Sequence, residues 1–483
     1  MTTASPDLNA ARRAADLDRS ASEIVDVLVV GGGITGVGVA LDAASRGLSV
    51  TLLEAHDLAY GTSRFSSKLV HGGLRYLATG DVATARESAV ERHLLMTVIA
   101  PHLTRPLGQL LPFVPEVSLR QRGTGAIGMA LGDLLRMRAG TSRRTLPAPR
   151  PVSVRHAARL APGLVTRGLR GGMLSFDGQL VDDARLVATV ARTAAAHGAR
   201  ILTRVRARSL RADGASAEDA LTGTRFDLRA RSVINATGAW AGTLDAGIMI
   251  RPSRGTHIVL DAADLGHPSV ALTVPHEGSI SRFVFALPQP DGPVIVGLTD
   301  EDAPGAVPDV AAPTEPEIAF LLDNLNRVLE RPLTRERVRG AFAGLRPLVD
   351  TGAASTADIS RRHLVTESDG GFFHVLGGKL TTYRRMAEDA VDLAVSERGL
   401  EAGSSRTAGI RLVDRRIPSA SAPLVDGLPL TRDDVVFAVR SEGALTASDV
   451  LDRRTRVGLV DADRERCVPA VETVVAETLA ELV

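Results

Sequence analysis

Val27-Leu-Val-Val-Gly-Gly-Gly-Ile-Thr-Gly36 runs a short, β-branched apolar segment into three glycines. Such a segment reads as a buried strand ending in a turn. Small residues follow from Ile34 to Ser45 at helical spacing, and Gly47 is a helix stop. Leu48–Leu53 is a second buried strand, and it ends at Glu54. Strand, helix and strand make one βαβ unit, the usual start of a nucleotide-binding α/β domain. Gly31, Gly33 and Gly36 fit the dinucleotide fingerprint: one for the tight turn, one for backbone approach to a pyrophosphate, one for helix-on-strand packing. The helix that opens at Ile34 and Thr35 points free N–H groups at the diphosphate. Glu54 is positioned to bond an adenosine ribose, and its carboxylate disfavours a 2′-phosphate.

The remaining composition narrows the classes. A chain of 483 residues accommodates about two to three domains. Fifty-seven basic and 56 acidic residues nearly cancel, which gives no reason to expect nucleic acid as a partner. Cys467 is the only cysteine, so no disulfide framework or cysteine-rich metal site can form within the chain. No H-E-x-x-H spacing occurs, and no metal is expected. Residues 1–23 lack an apolar h-region and are expected to form a flexible lead-in rather than a signal peptide. No stretch is apolar enough to predict a membrane span.

After Glu54 the regular βαβ series stops. Ala59–Gly80 is a long loop rich in Gly, Ser and Thr, of the kind that carries function. Asp81–Ile99 and Asp182–His197 read as helices, and Arg200–Leu210 and Arg225–Ile234 as strands. Further strands are expected around Ile258–Leu260, Phe283–Leu287 and Val294–Leu298, with a helix over Glu315–Leu329. Ser118–Gly172 carries eleven arginines and one acid, Asp133, and contains a helical apolar stripe over Gly123–Gly140. Glu401–Leu424 reads as a polar linker, and Thr431–Val483 as two or three helices. Two later strand-into-glycine patterns, Asn235-Ala-Thr-Gly238 and Gly377-Gly-Lys379-Leu-Thr-Thr-Tyr383, suit an extended FAD, which needs contacts from distant segments.

Gly61-Thr-Ser-Arg-Phe-Ser-Ser-Lys-Leu-Val-His-Gly-Gly-Leu-Arg-Tyr-Leu77 resembles the signature loop of FAD-dependent glycerol-3-phosphate dehydrogenases. So do Val181–Leu186, Asn235–Trp240, Arg254-Gly-Thr-His257, Gly297–Asp300, Gly344-Leu-Arg-Pro-Leu348 and Gly377–Arg384, in family order over about residues 24–395. The resemblance implies a glutathione-reductase-type FAD-binding domain (24–100 with 180–245 and 350–395), a mixed-sheet substrate domain (101–179 with 246–349) and a small helical C-terminal domain (425–483). It implies non-covalent FAD, sn-glycerol 3-phosphate as substrate, a membrane quinone as acceptor, and a cytoplasmic protein peripheral to the inner membrane face. A homodimer is compatible with it. Thr62, Ser63, Ser66, Ser67, His71, Gly72 and Gly73 of the loop, with Val205, Thr237, Gly238, Gly344, Gly378, Lys379, Leu380 and Thr381, are its FAD-contacting positions.

The chemistry of the residues agrees. A phosphate dianion needs fixed cations, and Arg75, Arg346 and Lys379 are the family's, with Tyr76 adding a hydroxyl. The proton of the substrate hydroxyl needs a base near neutral pKa, and His71 and His257 are both candidates. The C-terminal region looks shorter than in the usual bacterial enzymes, although Arg453-Arg-Thr-Arg456 still matches the family's final helices. Three alternatives remain at this stage. One is an oxidase passing electrons to oxygen. Another is an amine or amino-acid oxidase of the same flavin superfamily. The third is a non-catalytic dinucleotide-binding regulator.

Overall fold

A computed structural model describes residues 4–73, 81–279, 282–350, 362–415 and 422–482. The fingerprint strand β1 (Ile24–Val30) is central in the first sheet. Its parallel neighbours are β10 (Arg225–Asn235) on one side and β2 (Val50–Glu54) on the other. β18 (Phe373–Leu376) continues the sheet beyond β10, and β7 (Arg200–Thr203) continues it beyond β2, both parallel. β17 (Leu364–Glu367) adds an antiparallel edge, and the hairpin β8 (Val205–Arg211)–β9 (Gly214–Asp219) pairs with β10. Val27–Val30 are buried on both faces, which is why this strand is a continuous apolar run.

Helix α2 (Ile34–Ser45) is buried at every position except Thr35. Its small residues let other helices come close. A Cβ on Gly38 would stand 2.9 Å from the ring of Tyr383, at the start of α8 (Tyr383–Arg398). α6 (Asp183–Ala196) packs on the same side.

The expected flexible lead-in is overturned over Ala10–Ser22, which form a helix. Asn9 caps helix α1 (Ala10–Ser22) by accepting the Arg12 N–H, and Leu17 packs beneath the sheet against Val25 and Leu28. Leu8 forms a bridge with Glu442, donating to the Ser441 carbonyl and accepting from the Gly443 N–H. The high charge of this segment hides a helix whose apolar contacts come from only a few side chains.

The second sheet has ten strands and is mixed. Along it run β15 (Glu301–Asp302), β11 (Ile250–Leu260), β14 (Val294–Gly297), β13 (Phe283–Pro288), β12 (Ala271–Pro275), β4 (Thr104–Pro112), β6 (Gly172–Leu180) and β3 (Leu69–Val70). β16 (Gly340–Val349) pairs with β11, and β5 (Arg150–Val152) with β6. One face, with Leu110, Leu174, Ile258, Val284 and Val296, forms a core with Ile318 and Leu321 of α7 (Glu315–Asn326) and Ala157 of α5 (Val154–Leu160). The alternate residues, among them Gln109, Ser175, Asp177, His257, Thr273 and Phe285, face the first domain across a cavity. Helix α4 (Leu119–Arg138) borders its side, and α3 (Val82–Leu94) packs against α4.

The C-terminal residues form α9 (Arg432–Ser441) and α10 (Asp461–Ala480), joined by tight helical turns. They have their own core of Leu430, Val435, Val439, Val450, Leu451, Cys467 and Val471.

Candidate active site

The glycine turn has no room for side chains. Gly31 has φ +114°, and a Cβ there would stand 2.5 Å from the Ala236 carbonyl oxygen. A Cβ on Gly36 would stand 1.8 Å from the Gly31 carbonyl oxygen. The Ser63 hydroxyl accepts the Ile34 N–H at 3.0 Å, joining the signature loop to the first turn of α2. Glu54 accepts the N–H groups of Gly32 (2.7 Å) and His56 (2.8 Å); burial raises its carboxyl pKa and the two amides oppose the rise.

These residues border a cavity of about 1100 Å³ between the two sheets. That is at the upper end of cofactor and small-ligand sites, roughly 300–1,000 Å³. Gly31, Gly33, Ile34, Thr35 and Glu54 line one end together with Val205, Thr237 and Gly238. Thr62, Ser63, Ser66, Ser67, Gly73 and Gly344 line the middle. Gly378, Lys379, Leu380 and Thr381 close over it at the start of α8, as an extended dinucleotide requires. The donors, the glycine cradle and the acid at the end of β2 fit FAD.

Two expected positions stand behind the wall. Gly36 packs helix on strand, and Gly72 lies against Arg92, whose guanidinium would be 2.1 Å from a Cβ. Arg75 and Tyr76 lie outside the described residues.

The two histidines have different surroundings. His71 lines the cavity, its side chain 43% exposed, with Nδ1 3.2 Å from Asp177 Oδ2. Asp177 is buried on β6. Burial alone would raise its carboxyl, but Arg92 at 2.6 Å and His71 hold it down at about 2. The Gly72 N–H also donates to Asp177, fixing the backbone beside the imidazole. His257, by contrast, is 2% exposed and stacks on Phe342 at 4.9 Å. Its Nε2 is 2.8 Å from the Ser67 hydroxyl. Burial, then the positive charges of Lys68 and Arg346, push its pKa down to about 3. Lys68 is buried too, 3.0 Å from Asp183, and burial raises the Asp183 carboxyl against the pull of that lysine. Asp183 also accepts the Ser66 N–H and hydroxyl, so one carboxylate at the start of α6 sets the signature loop.

Arg346 on β16 reaches the cavity beside Gly255, where a Cβ would stand 2.2 Å from its guanidinium. Asp300 and Ser253, each 3.2 Å away, orient it, with the Thr299 carbonyl. The Lys379 ammonium donates to the Ser88 hydroxyl of α3 at 2.9 Å.

Asp177, Arg92, Lys68, Asp183 and Asp300 were not expected at the site. Asp177 lies in a strand, Gly172–Leu180, whose Ser, Gly and Gln hide its pattern, and Asp183 reads as a helix-start acid within the Val181–Leu186 motif. Gln109 and Thr273 also line the cavity, each with a buried polar atom that has no partner among the described residues.

Residues 26–392 match the family profile "FAD dependent oxidoreductase", and residues 403–481 match "C-terminal domain of alpha-glycerophosphate oxidase". The chain is 50% identical to glycerol-3-phosphate dehydrogenase 1 of Mycobacterium tuberculosis over 499 aligned positions, covering 95% of this chain and 97% of that one. Its fold matches that of the glycerol-3-phosphate dehydrogenase of Bacillus halodurans complexed with FAD (TM-score 0.72, 24% identity, 98% of this chain and 97% of the other). It also matches the L-alpha-glycerophosphate oxidase of Mycoplasma pneumoniae with FAD bound (TM-score 0.60, 19% identity, 81% and 100%). The chain belongs to the FAD-dependent glycerol-3-phosphate dehydrogenases.

Proposed function

We propose that the protein oxidises sn-glycerol 3-phosphate to dihydroxyacetone phosphate, with His71 as the base and a membrane quinone as the final electron acceptor. The observation that carries this reading is that His71, braced by Asp177, shares one cavity wall system with Arg346 and Lys379. FAD, which the glycine turn, Ser63 and the Gly378–Thr381 segment would hold, would supply the hydride acceptor for C2 of the substrate. The chain's task is then to hold the phosphate and remove one proton. Arg346 and Lys379 provide fixed positive charge for the dianion. Asp177 accepts from His71 Nδ1–H, which leaves the Nε2 lone pair for the C2 hydroxyl proton as the C=O bond forms. His257 is a poor alternative base, because a group with pKa about 3 has little driving force to take an alcohol proton. Its role is to hold Ser67 and, through it, the signature loop.

Support for a membrane-borne acceptor comes from α4. Ile127, Leu131, Leu134 and Met137 are exposed apolar side chains on it. At 100° per residue they fall within about one third of the helix circumference. Ile127 and Leu131 also border the cavity, so the apolar stripe continues into its mouth. Nine of the eleven arginines in Ser118–Gly172 are exposed, which suits anionic headgroups. Arg136 is not among them: it is buried, paired with Asp133 at 2.5 Å. No helix of the described residues is long and apolar enough to cross a membrane, so contact of this kind is peripheral.

The test is anaerobic reduction of the purified holoenzyme by sn-glycerol 3-phosphate, with glycerol as control. Reoxidation is then followed with a quinone in liposomes and with oxygen alone. Reduction by glycerol 3-phosphate only, and faster reoxidation by quinone, is expected. Stoichiometric hydrogen peroxide at the faster rate would make the protein an oxidase.

A further inference from the structure

The Arg453-Arg454 pair of the C-terminal domain does not face solvent or its own core. Both side chains converge on Asp57, in the turn that follows Glu54. Arg454 Nη1 and Nη2 bind the Asp57 carboxylate at 2.9 and 2.8 Å, and Arg453 Nε joins at 2.7 Å. Asp57, Arg453 and Arg454 are each 3% exposed or less. Burial alone would raise the Asp57 carboxyl, but the two guanidiniums hold it below its ordinary value. The arginines are fixed in turn. Arg453 binds Asp449, which also pairs with Arg204 at 2.6 Å, and Arg454 donates to the Glu442 carbonyl at 2.8 Å.

The turn held by this cluster, residues 55–61, walls the cavity end at which Glu54 stands. The Tyr60 N–H donates to the Asp57 carbonyl, and the Ala59 N–H to the Gly32 carbonyl in the glycine turn. His56 stacks on Tyr60 at 3.9 Å, and the Arg453 guanidinium lies 5.6 Å from the Tyr60 ring. His56 also gives its N–H to Glu54. One buried carboxylate thus joins the C-terminal domain to the groups that meet the adenosine half of the cofactor.

We propose that the helical C-terminal domain is a retention element for FAD: through Arg453, Arg454 and Asp57 it fixes the turn that closes the adenosine end of the cavity. The domain supplies no atom to the reacting centre, so these are positioning residues. Their loss loosens the cofactor without altering the chemistry of the loaded enzyme.

The experiment compares Asp57→Asn and Arg453→Met with Val471→Ala, which weakens the core of the same domain away from the cluster. FAD affinity, FAD release rate, apoprotein melting and kcat at saturating FAD are measured on the full chain. The two cluster variants are expected to bind FAD about 10- to 100-fold more weakly, since a buried charge is left short of partners. Added FAD restores their occupancy, and kcat at saturation stays near that of the wild type. Val471→Ala lowers the melting temperature with FAD affinity unchanged. If Asp57→Asn does not fold, Arg453→Met answers alone, because it leaves the Arg454–Asp57 pair in place. Unchanged FAD affinity in the cluster variants, or an equal loss in Val471→Ala, overturns the proposal and leaves the cluster as a structural staple.

Discussion

Asp177, within β6, and His71, just past β3, sit side by side, Oδ2 to Nδ1 at 3.2 Å, with Arg92 clamping the carboxylate from behind. Because the aspartate stays ionised, it can only accept, so it selects the imidazole tautomer that carries its proton on Nδ1. His71→Asn is expected to slow flavin reduction by about 100- to 10,000-fold. Asp177→Asn, which leaves the tautomer unselected, is expected to slow it by roughly 10- to 1000-fold with FAD still bound. Stopped-flow reduction at saturating glycerol 3-phosphate measures both. If His257→Asn alone has the large effect, the base is His257.

Arg346→Ala is expected to lose about 2–4 kcal/mol of transition-state binding, or roughly 30- to 1000-fold in kcat/KM, with FAD retained. Arg346→Lys should recover little, because Asp300, Ser253 and the Thr299 carbonyl orient a planar fork. A near-normal kcat/KM in the alanine variant would remove Arg346 from the substrate site.

The cofactor is expected to be non-covalent. Acid precipitation of the purified yellow protein should release FAD into the supernatant. Gly36→Val should give colourless protein, since even a Cβ there meets the Gly31 carbonyl oxygen. Flavin that stays with the precipitate would show a covalent link.

Acid stability should depend on His257. In the unfolded chain this residue takes up a proton near pH 6.5; in the native protein it does so only at about 3. Its contribution is complete above pH 6.5 and declines as pH falls towards 3. Between pH 7 and pH 5 the loss is about 2 kcal/mol. Unfolding of wild type and His257→Gln at the two pH values should show a smaller decline in the variant. Equal declines would mean that other groups govern acid sensitivity.

Liposome binding should follow the exposed face of α4. Changing Ile127, Leu131 and Leu134 together to Ser is expected to weaken sedimentation with anionic vesicles and to slow quinone reduction, while a soluble dye is still reduced. High salt should release the wild type at least in part. Leu135 is a poor choice for this test, because it is buried against Ala85 and Ala89. A wild type that ignores vesicles at every salt concentration would assign α4 to packing alone.

The central strands of the first sheet were legible because β1 and β2 are buried and read as unbroken apolar runs, whereas β9 and β17 were not read and Arg200–Leu210 was taken as one strand where β7 and β8 stand. The second was legible only in part. β11, β13 and β14 could be read at Ile258–Leu260, Phe283–Leu287 and Val294–Leu298, but β4, β6 and β16 could not. Thr104-Arg-Pro-Leu-Gly-Gln-Leu-Leu-Pro112 and Gly172-Met-Leu-Ser-Phe-Asp-Gly-Gln-Leu180 carry Gly, Pro, Gln and Asp where a strand pattern wants β-branched residues. Several of these polar residues, Gln109, Ser175 and Asp177, are the ones that face the cavity. The needs of the site therefore erased the pattern that would have announced the strand. The glycine cradle, Glu54, Arg346 and Lys379 were visible because they sit in contiguous motifs. Asp177 and Arg92 were not, because the β3–β6 pairing brings the one to His71 and the packing of α3 brings the other.

The bridge between Leu8 and Glu442 has a consequence in time. During synthesis the first helix emerges long before the residue that anchors it, and Val27 waits for Ser232 before β1 has its second neighbour. The cavity wall is complete only when Gly377–Thr381 has left the ribosome, and the turn around Asp57 is fixed only when Arg454 has. Native pairings of such large sequence separation form slowly. The nascent chain therefore leaves the apolar strands of its nucleotide-binding half without their full set of neighbours until β10 and β18 have been made. Capture of the flavin is expected only once most of the chain, through Thr381, has been made.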